Sequence, residues 1–272
     1  MSDEPVVVLG ATGTTGRRVA DLLRAAGVPV RAASRTGEVR FDWSDPATWE
    51  PAVAGAARMY LMAPDEQAID PSFVSCAVER GVRHIVLLSS QAIEAMGDER
   101  LLAAERTVRE SGAEWTIVRP SWFNQNFDEG FFHPAVMAGE VTVPVGDLRQ
   151  AFVDAGDIAA LAAAALTEDG HAGRSYAVMG PHALSFAEAV DIIGRAAGRP
   201  VRFLGTAEAY AEAMSALGYP TEQTQREIES FAALRQFGDQ QPNDVVRRVA
   251  GRDPKDFESY AVEAAARGAW AS

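Results

Sequence analysis

Three glycines, Gly10, Gly13 and Gly16, stand between the apolar run PVVVL and the amphipathic run RRVADLLRAA, and that placement leaves the chain few folds. A glycine at a strand end permits a tight turn, the next lets backbone approach a ligand, and the third lets the following helix lie close on the strand. The helix that opens there offers free N–H groups and the positive end of its dipole, which attract phosphate. A glycine triplet alone is weak evidence, but one that follows the first strand of a βαβ unit is a strong sign of a dinucleotide site. Gly10, Thr12, Gly13, Thr14, Thr15 and Gly16 are the expected pyrophosphate cradle, the threonines adding hydroxyl donors.

The next hundred residues repeat one rhythm. Short β-branched runs (VPVRAAS, ARMYLMA, HIVLLSS, WTIVRPS) alternate with amphipathic ones (GRRVADLLRAAG, PSFVSCAVERG, LLAAERTVRESG). That alternation predicts an α/β fold with a doubly wound parallel sheet. The helical runs stop at Gly27, Gly81 and Gly112, as left-handed helix ends prefer. After residue 121 the pattern loosens into an aromatic, glycine-rich stretch before a helix (DIAALAAAALTED) and a strand (RSYAVMG) resume. The expected division places a dinucleotide-binding domain at 1–121 with 150–180. A small, mainly helical substrate-binding lid takes 122–149 with 181–272 and holds PVRFLG as a lone strand. Such a lid lies over the carboxyl ends of the strands, where open α/β sheets bind ligands.

At 272 residues the chain is long enough to bury a substantial core. A net charge of -13, with arginines scattered among acids, argues against a nucleic-acid partner, because phosphate binding needs a clustered positive field. Lys255 is the only lysine, which removes lysine chemistry from the sheet region. Cys76 is the only cysteine and reads as a core thiol, and the four histidines lack the pairing of a zinc site, so no metal is expected. The start MSDEP has no basic and apolar leader and no apolar run reaches membrane length. The expectation is a cytoplasmic protein, monomer or homodimer, that meets a small molecule and neither a membrane nor nucleic acid.

The second strand runs into Ser34 and Arg35, where an NAD site commonly has an acid for the ribose hydroxyl. A guanidinium suits a 2′-phosphate, so the cofactor expected is NADP(H), with NAD(H) as the alternative. Arg35 as a solvated surface charge is the bland alternative. Asp42 follows the third strand, where it can accept from the adenine amino group or act as a turn residue, and Trp43 can cover the ring. Met62, Ala63 and Pro64 end the fourth strand with residues suited to a backbone lying close to the cofactor.

The segment 85 to 112 ends a strand on Ser89 and Ser90 and then continues without a tyrosine or a lysine. GATGTTG, ASR, FDWSDPATW, this LLSS strand end, SGAEWTIVRPSWFNQNF and VDAGDIAALAAAAL followed by SYAVMGP together resemble the NmrA-like branch of the atypical short-chain dehydrogenase/reductase superfamily. Within that branch the chain is similar to festuclavine-dehydrogenase-type proteins. The resemblance covers nearly the whole chain. It implies a Rossmann domain, bound NAD(P)H and a nicotinamide near Ser89, Ser90 and the turn from Arg119 through Pro120 to Phe123. It also implies that Gly97 and Leu101 hold the positions where many relatives carry tyrosine and lysine.

Ser90 is thus the candidate catalytic residue, as an orienting hydrogen-bond donor. Trp122, Phe123, Phe127, Phe131 and Phe132 are candidate pocket walls, and Gln91, Asn126 and His133 candidate polar contacts to substrate. The leading expectation is an NADPH-dependent oxidoreductase of secondary metabolism acting on a quinone, enone or iminium, acceptors that take hydride with little help from a protein acid. The competing expectation is an NmrA-type redox sensor that binds NADP(H) without turnover.

Overall fold

The computed structural model describes residues 4–64 and 67–271. Strands β1 (Val6–Leu9), β2 (Val30–Ser34), β3 (Val39–Arg40), β4 (Arg58–Met62), β5 (His84–Leu88) and β6 (Glu114–Pro120) come first in the chain. β7 (Glu140–Thr142) and β8 (Arg149–Gln150) stand apart, and β9 (Arg174–Val178) completes a sheet of order β3-β2-β1-β4-β5-β6-β9. Every pairing in it is parallel. The chain moves outward from β1 to β3 and then crosses back to β4, so the sheet is doubly wound with its switch point between β1 and β4. Ligands of such sheets bind outside the strands' carboxyl ends at that point.

Helices cover both faces, which is why β1 reads VVVL without a polar residue. Alternate side chains serve alternate faces. Val6 and Val8 pack with Val19, Ala20 and Leu23 of α1 (Thr14–Ala25). Val7 and Leu9 pack with Trp49, Ala52 and Val53 of α2 (Trp49–Val53) and with Phe73 and Val74 of α3 (Pro71–Glu79). α4 (Ile93–Met96) is a single turn at the top of β5, and α5 (Glu99–Glu110) adds Leu101, Ala104 and Val108 to the second face. Gly27, Gly81 and Gly112 all take positive φ. Cys76 is half-buried at the edge of this core, not enclosed in it as expected, and burial pushes its thiol pKa up.

The segments expected to form the lid have their own aromatic core. α6 (His133–Ala138) precedes β7, and α7 (Ala155–Thr167) returns to the sheet beside α1. β10 (Leu184–Ser185) pairs antiparallel with β8. It leads into α8 (Phe186–Ala197), whose Phe186, Val190 and Ile193 pack on Phe127, Phe132 and Phe152. β11 (Arg202–Leu204), expected to stand alone, pairs in parallel with β7. α9 (Ala207–Ala216) and α10 (Thr221–Phe237) follow, α10 lying against α4. α11 (Val245–Ala250) returns to α7 and adds Val245 and Val246 to the sheet's core, while α12 (Phe257–Ala266) closes the lid against α8. Among the described residues no helix is long and apolar enough to cross a membrane.

Candidate active site

At the end of β1 the chain turns on Gly10, whose φ of +64° is one that side chains rarely adopt. The Gly13 N–H donates to Gly10 O at 2.8 Å and closes the turn. Gly13 then caps α1 with no side-chain cap, and the first turn carries no acidic residue. Its N–H groups therefore lack intrahelical acceptors in a neutral to positive setting, the combination that binds an anion. A Cβ on Gly16 would sit 2.2 Å from Gly10 O, so Gly16 presses helix on strand, whereas one on Gly13 would meet only Gly10 O at 3.2 Å. Gly10, Gly13, Thr14 and Thr15 line a cleft of ≈ 660 Å³, but Thr12 and Gly16 do not. Thr15 Oγ1 accepts a 2.9 Å hydrogen bond from the fully buried Tyr60 hydroxyl, whose pKa burial raises. The one phenol near the turn thus props it from below and keeps its proton.

At the end of β2, Ser34 Oγ is buried with no partner among the described residues, and neither Ser34 nor Arg35 lines the cleft. Arg35 is exposed and makes no ion pair among them, while the nearby Glu38 is held by Arg24. An exposed guanidinium next in sequence to an orphaned hydroxyl suits a ribose 2′-phosphate. Asp42 takes the turn role: its Oδ1 accepts from Ser44 N (3.0 Å) and Ser44 Oγ (2.7 Å). Trp43 packs edge-on against Phe41 and Phe73 at 4.9 and 5.0 Å. Neither lines the cleft; nor does Pro64, whose carbonyl accepts from Arg100, whereas Met62 and Ala63 do.

The two serines after β5 part company. Ser89 Oγ donates to Glu105 Oε1 at 2.7 Å, and Glu105, 1 % exposed, also takes both arms of Arg119 at 2.7 Å and Arg109 at 3.0 Å. Burial opposes the Glu105 charge, but the hydrogen bonds from Arg119 and Ser89 outweigh it and hold the carboxyl below its usual range. Ser89 is therefore a structural tie as well as a cleft residue. Ser90 lines the cleft with only a 3.3 Å contact to Gln91 O, so its hydroxyl is free to orient a ligand. Gln91 also lines it, yet its Nε2 donates to Arg119 O at 2.9 Å, leaving the carbonyl oxygen for other use. Leu101 is buried on the cleft wall and Gly97 is an exposed left-handed helix end.

Pro120, Trp122, Phe123, Asn126 and Phe131 complete the expected wall. Two expected substrate residues lie elsewhere. Phe127 is fully buried among Phe132, Phe152, Phe186 and Phe257, and its carbonyl accepts from Trp270 Nε1 at 2.9 Å, so it belongs to the lid core. His133 bonds Ala269 O through Nε2 at 2.8 Å, tying α6 to the end of the chain. Phe132 is likewise core. Residues not anticipated line the rest of the cleft: Met96, Asp98, Arg100, Ser121, Glu129, Gln150, Leu234 and Gln240. Glu129 pairs with Arg17 at 2.5 Å and Arg18 at 2.8 Å, fastening the lid segment to α1. None of the five tyrosines lines the cleft, and Lys255 is paired with Glu263 at 2.6 Å.

The NmrA-like family profile matches residues 2–261. A (4-alkanoyl-5-oxo-2,5-dihydrofuran-3-yl)methyl phosphate reductase of Streptomyces griseus is 35% identical over 278 residues, 95% of this chain and 97% of that one. An NAD(P)H azoreductase of Xenophilus azovorans is 33% identical over 288 residues, 97% and 99% of the two chains. Among solved structures, an NADPH-dependent quinone oxidoreductase of Escherichia coli in complex with NADPH superposes with a TM-score of 0.74 at 20% identity, covering 95% of this chain and 99% of that one.

Proposed function

Because this chain belongs to the NmrA-like family, we propose that it is an NADPH-dependent oxidoreductase of secondary metabolism, acting on a small acceptor already polarised for hydride: a quinone, an enone or an iminium. The observation that carries this reading is the make-up of the cleft. An intact phosphate-binding turn opens into a cavity of ≈ 660 Å³ walled by Trp122, Phe123 and Phe131, with no tyrosine or lysine on its wall. Proton transfer by a positioned side chain is typically worth about 100- to 10,000-fold. A site without a strong acid is suited to acceptors that need none. The activities named for the azoreductase, the dihydrofuranyl methyl phosphate reductase and the quinone oxidoreductase support the reading.

Bound NADPH supplies the hydride. The N–H groups of Thr14 and Thr15 would hold its pyrophosphate, Ser34 and Arg35 its 2′-phosphate, and Met62, Ala63, Ser89 and Pro120 would flank its path toward the nicotinamide. Ser90 Oγ orients the substrate and, for a quinone or enone, donates to the oxygen on which negative charge grows. Trp122, Phe123 and Phe131 exclude water and stack on the acceptor, with Asn126 and Gln91 as polar contacts. In this reading residues 1–121 with 150–180 hold the cofactor and 122–149 with 181–272 form the substrate subdomain, α11 excepted. The protein works as a cytoplasmic monomer or homodimer, on small molecules and not on nucleic acid or membranes. Loss of NADPH absorbance with a panel of quinones, enones and imines tests it. Turnover of at least one class is expected, and tight NADPH binding with no turnover of any would leave a sensor in its place.

A further inference from the structure

Two glutamines on the cleft wall have unused hydrogen-bonding capacity. Gln150, on β8, is 0% exposed. Its Nε2 donates to Arg149 O at 2.8 Å, but its Oε1 is buried without a partner among the described residues. Gln240 lies just beyond α10 and straddles Gln150: its backbone N–H donates to Arg149 O at 3.0 Å, and its Oε1 accepts from Ala151 N at 3.1 Å. The same Oε1 accepts from Ser121 Oγ at 2.5 Å. Two donors on one oxygen fix which end of the Gln240 amide is which. Its Nε2 is therefore the free end, and it donates to no acceptor among the described residues. Gln150, Gln240 and Ser121 all line the cleft.

A buried acceptor with no donor costs free energy that a folded protein ordinarily avoids, and such an orphan in a native cleft asks for a partner. Here an unpaired acceptor and an unpaired donor belong to two residues that line one cleft. A hydroxyl group answers both, its hydrogen going to Gln150 Oε1 and its oxygen accepting from Gln240 Nε2. Resting on the reductase reading, we propose that Gln150 and Gln240 are specificity-determining residues that select acceptors carrying an alcohol on the side remote from the hydride-accepting atom. Ser121 and Ala151 act as positioning groups that aim the Gln240 amide. The contact is remote from the chemistry, so it is expressed in substrate affinity, and a site built to bond a hydroxyl discriminates against an analogue lacking it.

The probes are 6-(hydroxymethyl)-1,4-naphthoquinone and its near-isostere 6-ethyl-1,4-naphthoquinone, with NADPH and the full chain. Wild type should favour the alcohol by about tenfold or more in kcat/KM, nearly all of it in KM. Gln150→Met removes the orphan acceptor and should erase most of that preference while raising Tm. Gln240→Glu keeps an oxygen for Ser121 and Ala151 but removes the donor, and should erase it as well. Equal kcat/KM for the two quinones in the wild type overturns the proposal and leaves the reductase reading standing. If neither is turned over, calorimetric titration of the NADP-loaded protein decides the subsite: preferential binding of the alcohol supports it, and equal or absent binding overturns it.

Discussion

Glu105 is the side chain on which the top of β5 and the top of β6 both depend, so its replacement has a calculable cost. Glu105→Leu leaves the Arg119 guanidinium, one-fifth exposed, without the carboxylate that grips both its arms, and leaves Ser89 Oγ without an acceptor. Breaking a buried pair by removing one partner costs about 3–5 kcal/mol. Glu94, which also bonds Arg119 at 2.8 Å, retains part of the charge compensation and puts the guanidinium's share at the lower end. The orphaned serine adds about 1 kcal/mol, for a total of roughly 3–4 kcal/mol. Urea unfolding followed by tryptophan fluorescence measures it. The sign of the pH dependence is fixed as well. The folded carboxyl titrates below its unfolded value of about 4.3, so its stabilisation is present above that pH and is lost as pH falls through the folded value. The gap between wild type and Glu105→Leu should therefore close in acid. A loss under about 1 kcal/mol at neutral pH, or a gap that widens in acid, refutes the reasoning.

Arg35→Asp should invert the cofactor preference from NADPH to NADH, with a loss for NADPH of about 2 kcal/mol by fluorescence titration. Equal wild-type affinity for both cofactors would count against the phosphate contact. Gly13→Val should leave the chain folded by circular dichroism but without measurable NADPH binding, since its side chain would fill the space above the turn. Ser90→Ala should slow turnover by less than about tenfold, short of the loss of a general acid, and each Tyr→Phe change should do no more. Asp157 is fully buried with its carboxyl pushed up to about 6, burial outweighing the Lys255 N–H and the half-exposed Arg252 beside it. Its folded value lies above the unfolded one of about 3.9, so stability should fall as pH rises from about 4 to 6, by up to about 3 kcal/mol, and that slope should vanish in Asp157→Asn.

Features that the chain encodes locally are legible in the order of its residues. β1, its glycine turn and α1 are contiguous, and the period-two and helical patterns of the following units are each complete within a dozen residues. The inner wall of the cleft is not local. Gln150 and Gln240 are ninety positions apart and neither stands in a motif, and the β7–β11 pairing joins residues just as remote from local pattern. Glu105 reads in sequence as one more charge on a helix face; only the register of α5 against β6 turns it inward. The aromatic run after Arg119 misleads for the opposite reason. Its residues are adjacent, but a turn at Asn124–Phe127 sends Phe123 to the cleft and Phe127 into the lid. Composition cannot separate a pocket wall from a core when both are built of phenylalanine.

The central claim, hydride delivery without a phenolic or amine acid, is tested most directly by single turnovers with NADPH deuterated at the transferred position and an enone acceptor. The account predicts deuterium at the β-carbon of the product, a primary isotope effect on the rate, and the same rate within about tenfold in all five Tyr→Phe variants and in Lys255→Ala. Collapse of the transfer rate in any one of those variants, with folding and NADPH binding intact, would contradict it.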